Sequence, residues 1–252
     1  MTTGTTRPGE LVTVATHGPV AELVVGDGTK RNALTTNGWT AIERHIRALS
    51  TDDKVRAIVV RGRDGTFCAG SDLGEWVGAS PEQVTQSFTS MESAFRAIEA
   101  CPVPVVAEIE GIAAGAGCQL ALACDLRFMA DSAQIGMPIA RLGILASPAF
   151  AARLVALAGP ALASELLYTG QLLGAPSAAR AGLINEHLPE KQLRARVEAT
   201  LAKICAQPPP AVRAAKTAVS ATLSPLRAAS ARNPSRAVSL PHFTTAIRAF
   251  FR

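Results

Sequence analysis

At 252 residues, with 48% hydrophobic and 18% charged side chains, the chain has a globular composition and enough length to bury a sizeable core, which excludes an intrinsically disordered protein. Aromatic residues make up 4%, too few for a base-stacking nucleic-acid surface. The net charge of +5 is uneven: the first 198 residues carry 17 basic and 20 acidic side chains, whereas Lys203, Arg213, Lys216, Arg227, Arg232, Arg236, Arg248 and Arg252 face no Asp or Glu after residue 198. That basic tail is either a solvated helical face or a surface for a phosphorylated ligand or an acidic neighbouring subunit.

In chain order, residues 11–16 and 20–25 are β-type runs separated by His17-Gly18-Pro19, which predicts a hairpin. A helix is predicted over 36–49, where Trp39, Ile42, His45 or Ile46 and Leu49 recur at helical spacing. A third strand is predicted over 55–60. The segment F-C-A-G-S-D-L at 67–73 follows; Ser71 invites a serine-hydrolase reading, but Ala69 stands where the G-x-S-x-G elbow needs its first glycine, and a helix cap at Ser71 or Asp72 is the competing reading. Residues 81–100 form an amphipathic helix stopped by Cys101-Pro102.

Residues 103–125 read as strand, glycine turn and buried helix, with Gly111, Gly115 and Gly117 supplying the turn and an almost wholly apolar run after it. A helix that starts at such a turn presents unpaired N–H groups and a positive dipole end. Three uses fit: an anion site, a dinucleotide loop, or an oxyanion site. The dinucleotide fingerprint lacks its third glycine, since Leu120 occupies that place. Short strands at 125–130 and 133–136 follow, so a two-strand-plus-helix unit recurs about every 45 to 50 residues without a sequence repeat. Helices are predicted over 148–158, 161–169, 176–181, 189–206 and 211–223, with Pro208-Pro209-Pro210 as a stiff joint. The end, with Pro225, Pro234 and Pro241, is expected to fold against something else. The expected organisation is a core over residues 1–207 and a C-terminal helical segment over 208–252, packed on that core or on a neighbouring subunit.

Five cysteines without a C-x-x-C pair read as reduced, mostly buried thiols, and the four scattered histidines have no zinc spacing. The longest apolar run is taken as 111–124, shorter than the roughly 20 residues of a membrane span, and residues 1–10 lack a signal-peptide core. The expectation is a soluble, cytoplasmic protein with no metal, membrane or nucleic-acid partner.

Three stretches taken together, Asn32-Ala33-Leu34, F-C-A-G-S-D-L at 67–73 and E-G-I-A-A-G-A-G-C-Q-L at 110–120, resemble the crotonase family of enoyl-CoA hydratases and isomerases. Tyr168-Thr169-Gly170, Ala178 and A-G-L-I-N at 181–185 follow in the family's order. The resemblance implies an α/β fold, a crotonase-like spiral of ββα units with a helical C-terminal region, assembled as a homotrimer or hexamer. It implies an acyl-CoA thioester as substrate, with coenzyme A part of that substrate and no separate cofactor. The shared chemistry is stabilisation of an enolate by two backbone N–H groups, which fall here on Ser71 and on Ala116, the latter replacing a usual glycine. Removing one such donor costs about 3 to 4 kcal/mol in enzymes. The resemblance also lays Lys30, Arg31, Ala33, Cys68 and Ala69 along the coenzyme A, with Lys30 and Arg31 for its phosphates, and puts Asp72 and Trp76 with the substrate-binding residues.

Two departures matter. The hydratases in this family use two glutamates, and the corresponding positions here are Gln119 and Ile139. Glutamine holds a water but exchanges no proton near neutral pH, and isoleucine does neither. Since one acid–base group contributes about 100- to 10,000-fold, ordinary hydration is disfavoured. Ser147, Asp72, Glu75, Glu92 and Glu108 are the remaining polar candidates near the motifs, Ser147 doubling as a helix cap before Pro148. The family's F-x-x-K feature is not evident in 239–252. The reading is a lyase-like acyl-CoA enzyme working through an enolate, with decarboxylation attractive because loss of carbon dioxide needs no base; the alternative is a catalytically silent acyl-CoA-binding or assembly protein.

Overall fold

The computed structural model describes residues 10–231, 238 and 240–251. Arg232, Arg236, Arg252 and Pro234 of the basic, proline-bearing tail lie outside the described residues. The chain opens with the antiparallel hairpin β1 (Val12–His17) and β2 (Val20–Val25), turning at Gly18 with φ 59°. It continues through α1 (Thr36–Ser50), β3 (Ala57–Gly62) and α2 (Pro81–Ala100). Helix α2 starts on a capping box: Ser80 Oγ accepts from Gln83 N and the Gln83 side chain accepts from Ser80 N.

Next come β4 (Val105–Ile109), β5 (Ile112–Ala114), α3 (Ala116–Ala123), β6 (Leu126–Ala130), β7 (Gln134–Gly136) and α4 (Pro148–Thr169). The chain then forms β8 (Leu172–Gly174), α5 (Ala175–Arg180), β9 (Glu186–Leu188), α6 (Glu190–Ala206), α7 (Pro209–Ala231) and α8 (Leu240–Phe250). A six-stranded sheet in the order β1-β2-β3-β4-β6-β9 is parallel from β2 onward, and a three-stranded sheet runs β5-β7-β8. Residues of β3 and β4 are buried on both faces, as the Val/Ile runs of a covered parallel sheet require.

The spiral is legible in how strands alternate between layers. Strand β4 lies in the large sheet, β5 in the small one, and α3 returns; β6, β7 and α4 repeat the turn. In the preceding turn, β3 is followed by Phe67 to Ser71, which is not a regular strand but bridges to β5 through Cys68 and Ala113 before α2. The loops of the first two turns meet where Gly70 lies against Ala114 O and Ala116 N.

Several sequence expectations are corrected. The turn at Gly111 leads into β5, not directly into the helix, and β8 and β9, at three residues each, are too short to show a period. Pro209 and Pro210 lie inside the first turn of α7, where a fixed φ and a missing N–H are harmless, and α7 passes through Pro225 to Ala231 instead of ending at 223. The two helices expected over 148–158 and 161–169 are, by contrast, both present, as two helical segments of α4 that meet at the non-helical Gly159 (φ 75°, ψ 169°) before Pro160. This helix, α4, is by length and composition apolar enough to cross a bilayer, a longer apolar stretch than 111–124; here it packs on α3 and α7. The expected boundary at 207/208 falls between α6 and α7.

Candidate active site

The glycine turn is dictated by close approach. Gly115 sits at φ 55° and ψ −119°, which residues with a Cβ rarely adopt, and its N–H donates to Gly136 O at 2.9 Å. Ala116 then opens α3 without a positive φ, so its Cβ is tolerated there. As the first helical residue it has no intrahelical acceptor for its N–H.

Against this helix end lies the Phe67–Ser71 loop. A Cβ on Gly70 (φ 105°) would stand 2.8 Å from Ala114 O and 3.2 Å from Ala116 N, and one on Gly117 would overlap Cys68 O. Only two glycines let the backbones meet. Leu34 donates its N–H to Gly70 O (2.8 Å) and accepts from Asp72 N (2.9 Å), a parallel bridge in which Ser71, the residue between, turns its own N–H and C=O away from Leu34. Gly70, the residue before Ser71, therefore abuts Ala116 N, the first N–H of α3. The Ser71 hydroxyl donates to Met91 Sδ at 3.0 Å and not to a histidine, which leaves the serine-hydrolase reading without a base. The cap is Asp72, whose carboxylate accepts from Gly74 N at 3.0 Å.

Lys30, Arg31 and Asn32 take three consecutive left-handed conformations, φ 47°, 54° and 58°. Lys30 Nζ pairs with Asp72 Oδ2 at 2.6 Å, a bond that raises the lysine pKa. Arg31 is exposed and its carbonyl accepts from Ala69 N at 2.9 Å; Ala33 and Ala69 are half-buried beside it. Asn32, unremarked in the sequence reading beyond its motif, clasps the turn: Oδ1 accepts from Gly28 N (2.9 Å) while Nδ2 donates to Arg63 O (2.8 Å) and Thr66 O (2.5 Å). Its readable signal was an asparagine in a loop, the non-glycine residue most at home with positive φ. Cys68 is wholly buried, its thiol pushed up to about 12 by desolvation, so it lends the site only backbone.

Gln119 is fully buried one turn into α3. Its Nε2 donates to Phe150 O at 3.3 Å and its Oε1 accepts from Arg153 Nη1 at 3.4 Å. Arg153, missed in the sequence because it stands alone on an apolar helix, is itself held by Glu92 (2.8 Å) and Glu99 (3.0 Å). Ile139 is buried with its Cγ2 3.9 Å from where a Gly115 Cβ would stand. The other carboxylates are engaged elsewhere. Glu75 accepts from Thr36 N and Oγ1, both at 2.8 Å, and Glu92 also binds Arg96. Glu108, raised in pKa by burial, pairs with Arg61 and Arg194. Ser147 caps α4 by accepting from Phe150 N at 3.2 Å.

Trp76 is buried between Phe88 of α2, stacked at 5.3 Å, and Phe243 of α8 at 5.6 Å. Helix α8 reaches it by docking on Gly143 (φ 64°), where a Cβ would come 2.9 Å from His242 Cβ, and through the Ile144–Val238 bridge. The C-terminal segment thus folds back on its own core. Of the basic tail, Lys216 is consumed by Asp125 (2.7 Å) and the carbonyls of Ile98 and Val103, while Lys203 and Arg248 are exposed. Among the described residues no cluster of three or more His, Cys, Asp or Glu is placed to hold a metal.

A family model described as enoyl-CoA hydratase/isomerase matches residues 16–245. Mouse enoyl-CoA hydratase domain-containing protein 2, mitochondrial, is 34% identical over 223 residues, covering 85% of this chain and 75% of that protein. Mouse methylglutaconyl-CoA hydratase, mitochondrial, is 36% identical over 163 residues, 64% of this chain; the match spans 52% of that relative, about half its length. Among solved structures, an enoyl-CoA hydratase/carnithine racemase from Magnetospirillum magneticum superposes with a TM-score of 0.82 at 29% identity, covering 85% of this chain and 82% of the other. An enoyl-CoA hydratase from Bacillus anthracis gives 0.80 at 28% identity over 96% and 89%.

Proposed function

The chain belongs to the enoyl-CoA hydratase/isomerase family, and from that membership we propose that it binds an acyl-CoA thioester with the thioester oxygen between the N–H groups of Ser71 and Ala116. Charge that develops on this oxygen as an enolate forms is met by donors fixed before reaction, the arrangement that most lowers such barriers. The observation that carries the reading is the abutment of Gly70 on Ala116 N, which only glycine at 70 permits. Lys30 and Arg31, at the rim of the same loop pair, suit the phosphates of the coenzyme.

The relatives are named hydratases, and hydration needs proton-transfer groups facing the bound water. Here Gln119 has its amide oxygen on Arg153 and its amide nitrogen on Phe150 O, and Ile139 is hydrocarbon. The reaction that fits best is decarboxylation of an α-carboxyacyl (malonyl-type) thioester: the bond between the α-carbon and the carboxylate breaks, carbon dioxide leaves, and the electron pair of that bond becomes the enolate. A solvent proton then adds to the α-carbon. No base from the chain is required. Lyase-type turnover is thus proposed over hydration.

The engagement of every flagged carboxylate also favours a second reading, a catalytically silent acyl-CoA-binding protein. Incubating the protein with enoyl-, malonyl- and saturated acyl-CoA thioesters and weighing the products separates these. Loss of 44 mass units supports decarboxylation, by the chemistry of carbon dioxide release; gain of water overturns it; binding without any change favours the silent protein. The largely unburied apolar surface of α4 supports assembly with copies of itself, as a homotrimer or hexamer.

A further inference from the structure

A cleft of about 760 Å³ opens between α2, α4, α7 and the C-terminal end of α3. Its volume falls within the range of small-molecule sites, and its walls are chiefly hydrocarbon, with Leu122, Ala152, Leu157, Val212 and Val219 among them. The donor Ala116 N lies at the opposite end of α3, a helix of eight residues and so about 12 Å long. The cleft is therefore separate from the glycine loops.

Three carboxylates, Glu92, Glu99 and Asp125, and four cations, Arg96, Arg127, Arg153 and Lys216, border this space. Three of the cations are matched: Arg153 by Glu92 and Glu99, Arg96 by Glu92, and Lys216 by Asp125. Arg127 is not. It is 5% exposed, with Nε donating to Leu183 O (2.7 Å) and Nη1 to Cys124 O, both uncharged acceptors, and it makes no ion pair among the described residues. Its Nη2 has no acceptor, yet it is not among the buried unpartnered atoms, so it stays open to solvent, and the cleft is the open space that Arg127 borders. Burial lowers the Arg127 pKa, whereas at Arg153 the effect of burial is outweighed by Glu92 and Glu99, which raise it. A buried guanidinium short of counter-charge, set in an apolar cleft, is a receptor for an anion carried on hydrocarbon.

We propose that this cleft binds an amphipathic monocarboxylate of the fatty-acid class, its carboxylate accepting from Arg127 Nη2 and its alkyl chain lying along α4 and α7. One free nitrogen and one surplus positive charge suit a monoanion; the second charge of a phosphate monoester would face Asp125 without a partner. The site does not depend on the acyl-CoA reading above.

Calorimetric titration of the full chain compares decanoate with decanol, which share an alkyl chain and differ in the charged head. Wild-type protein is expected to take up decanoate in preference to decanol by about 10- to 100-fold, the worth of a hydrogen bond to a charged group. Ala152→Phe fills the cleft from α4 and leaves the partners of Arg127 in place; it is expected to lose decanoate while keeping its denaturation midpoint and whatever thioester binding the wild type has. Arg127→Gln is expected to remove the preference for decanoate, and if that variant does not fold, Ala152→Phe decides alone. Wild-type protein that ignores decanoate or binds both ligands equally overturns the inference. So does undiminished decanoate binding by Ala152→Phe, which puts the ligand in another pocket, or joint loss of thioester and decanoate in the folded variant, which merges the two sites. Wild-type protein that binds decanoate but no thioester overturns the acyl-CoA reading alone.

Discussion

Gln119 and Arg153, 34 residues apart, meet inside the protein with the glutamine Oε1 3.4 Å from the arginine Nη1, and the other end of the same amide is tied to Phe150 O. The Gln119 side chain is a staple between α3 and α4. Glu92 and Glu99 complete the cluster from α2, so three helices share one buried guanidinium.

Gln119→Met accordingly leaves one buried Arg153 N–H unpaired and removes the extra bond on Phe150 O. It is expected to lower stability by about 1 to 3 kcal/mol in chemical denaturation. Turnover of the preferred thioester by folded variant stays within about tenfold of wild type, less than the 100-fold or more that loss of an acid–base group brings. A greater loss without unfolding would assign Gln119 to the chemistry.

Asn32→Ala tests the left-handed turn. The substitution removes three hydrogen bonds and places alanine at φ 58°, which by itself costs about 1 to 2 kcal/mol. Thermal and denaturant midpoints fall, and KM for any coenzyme A thioester rises as Lys30 and Arg31 lose their placement. An unchanged KM in the folded variant would detach this turn from ligand binding.

How much of this was legible in the sequence depended on range. The hairpin, α1, α2 and the paired glycine loops follow from local period and from residues such as Gly115 that few others replace. Ser147 as a cap before Pro148 is equally local. Strands β8 and β9 are held by partners distant in sequence and are too short to carry a pattern. Arg153 looked like a stray charge on an apolar helix because its partners lie 34 to 61 residues away. Helix α7 overrides Pro225, which local propensity alone reads as a stop.

The thiols give a pH prediction. Burial pushes Cys68, Cys118 and Cys124 up to about 12 from 9.0. Between those values the unfolded chain has released protons that the native protein retains, so the native state is progressively disfavoured as pH rises from 9 toward 12. Denaturation midpoints should decline across that window, and Cys205, the half-buried thiol, should react first with a disulfide reagent at pH 8 while these three wait for unfolding. Rapid native-state labelling of Cys68 would contradict the packing of its loop.

The donor pair is tested most directly at Ala116, the first residue of α3, where proline is compatible with the helix but has no N–H. Enzyme-dependent conversion of the best-used thioester, followed by mass spectrometry in heavy water, is compared for wild type, Ala116→Gly and Ala116→Pro. Glycine keeps the donor and should retain most of the rate, whereas proline should lose about 100- to 1,000-fold with thioester binding preserved. Equal rates for all three would contradict enolate stabilisation at this helix end.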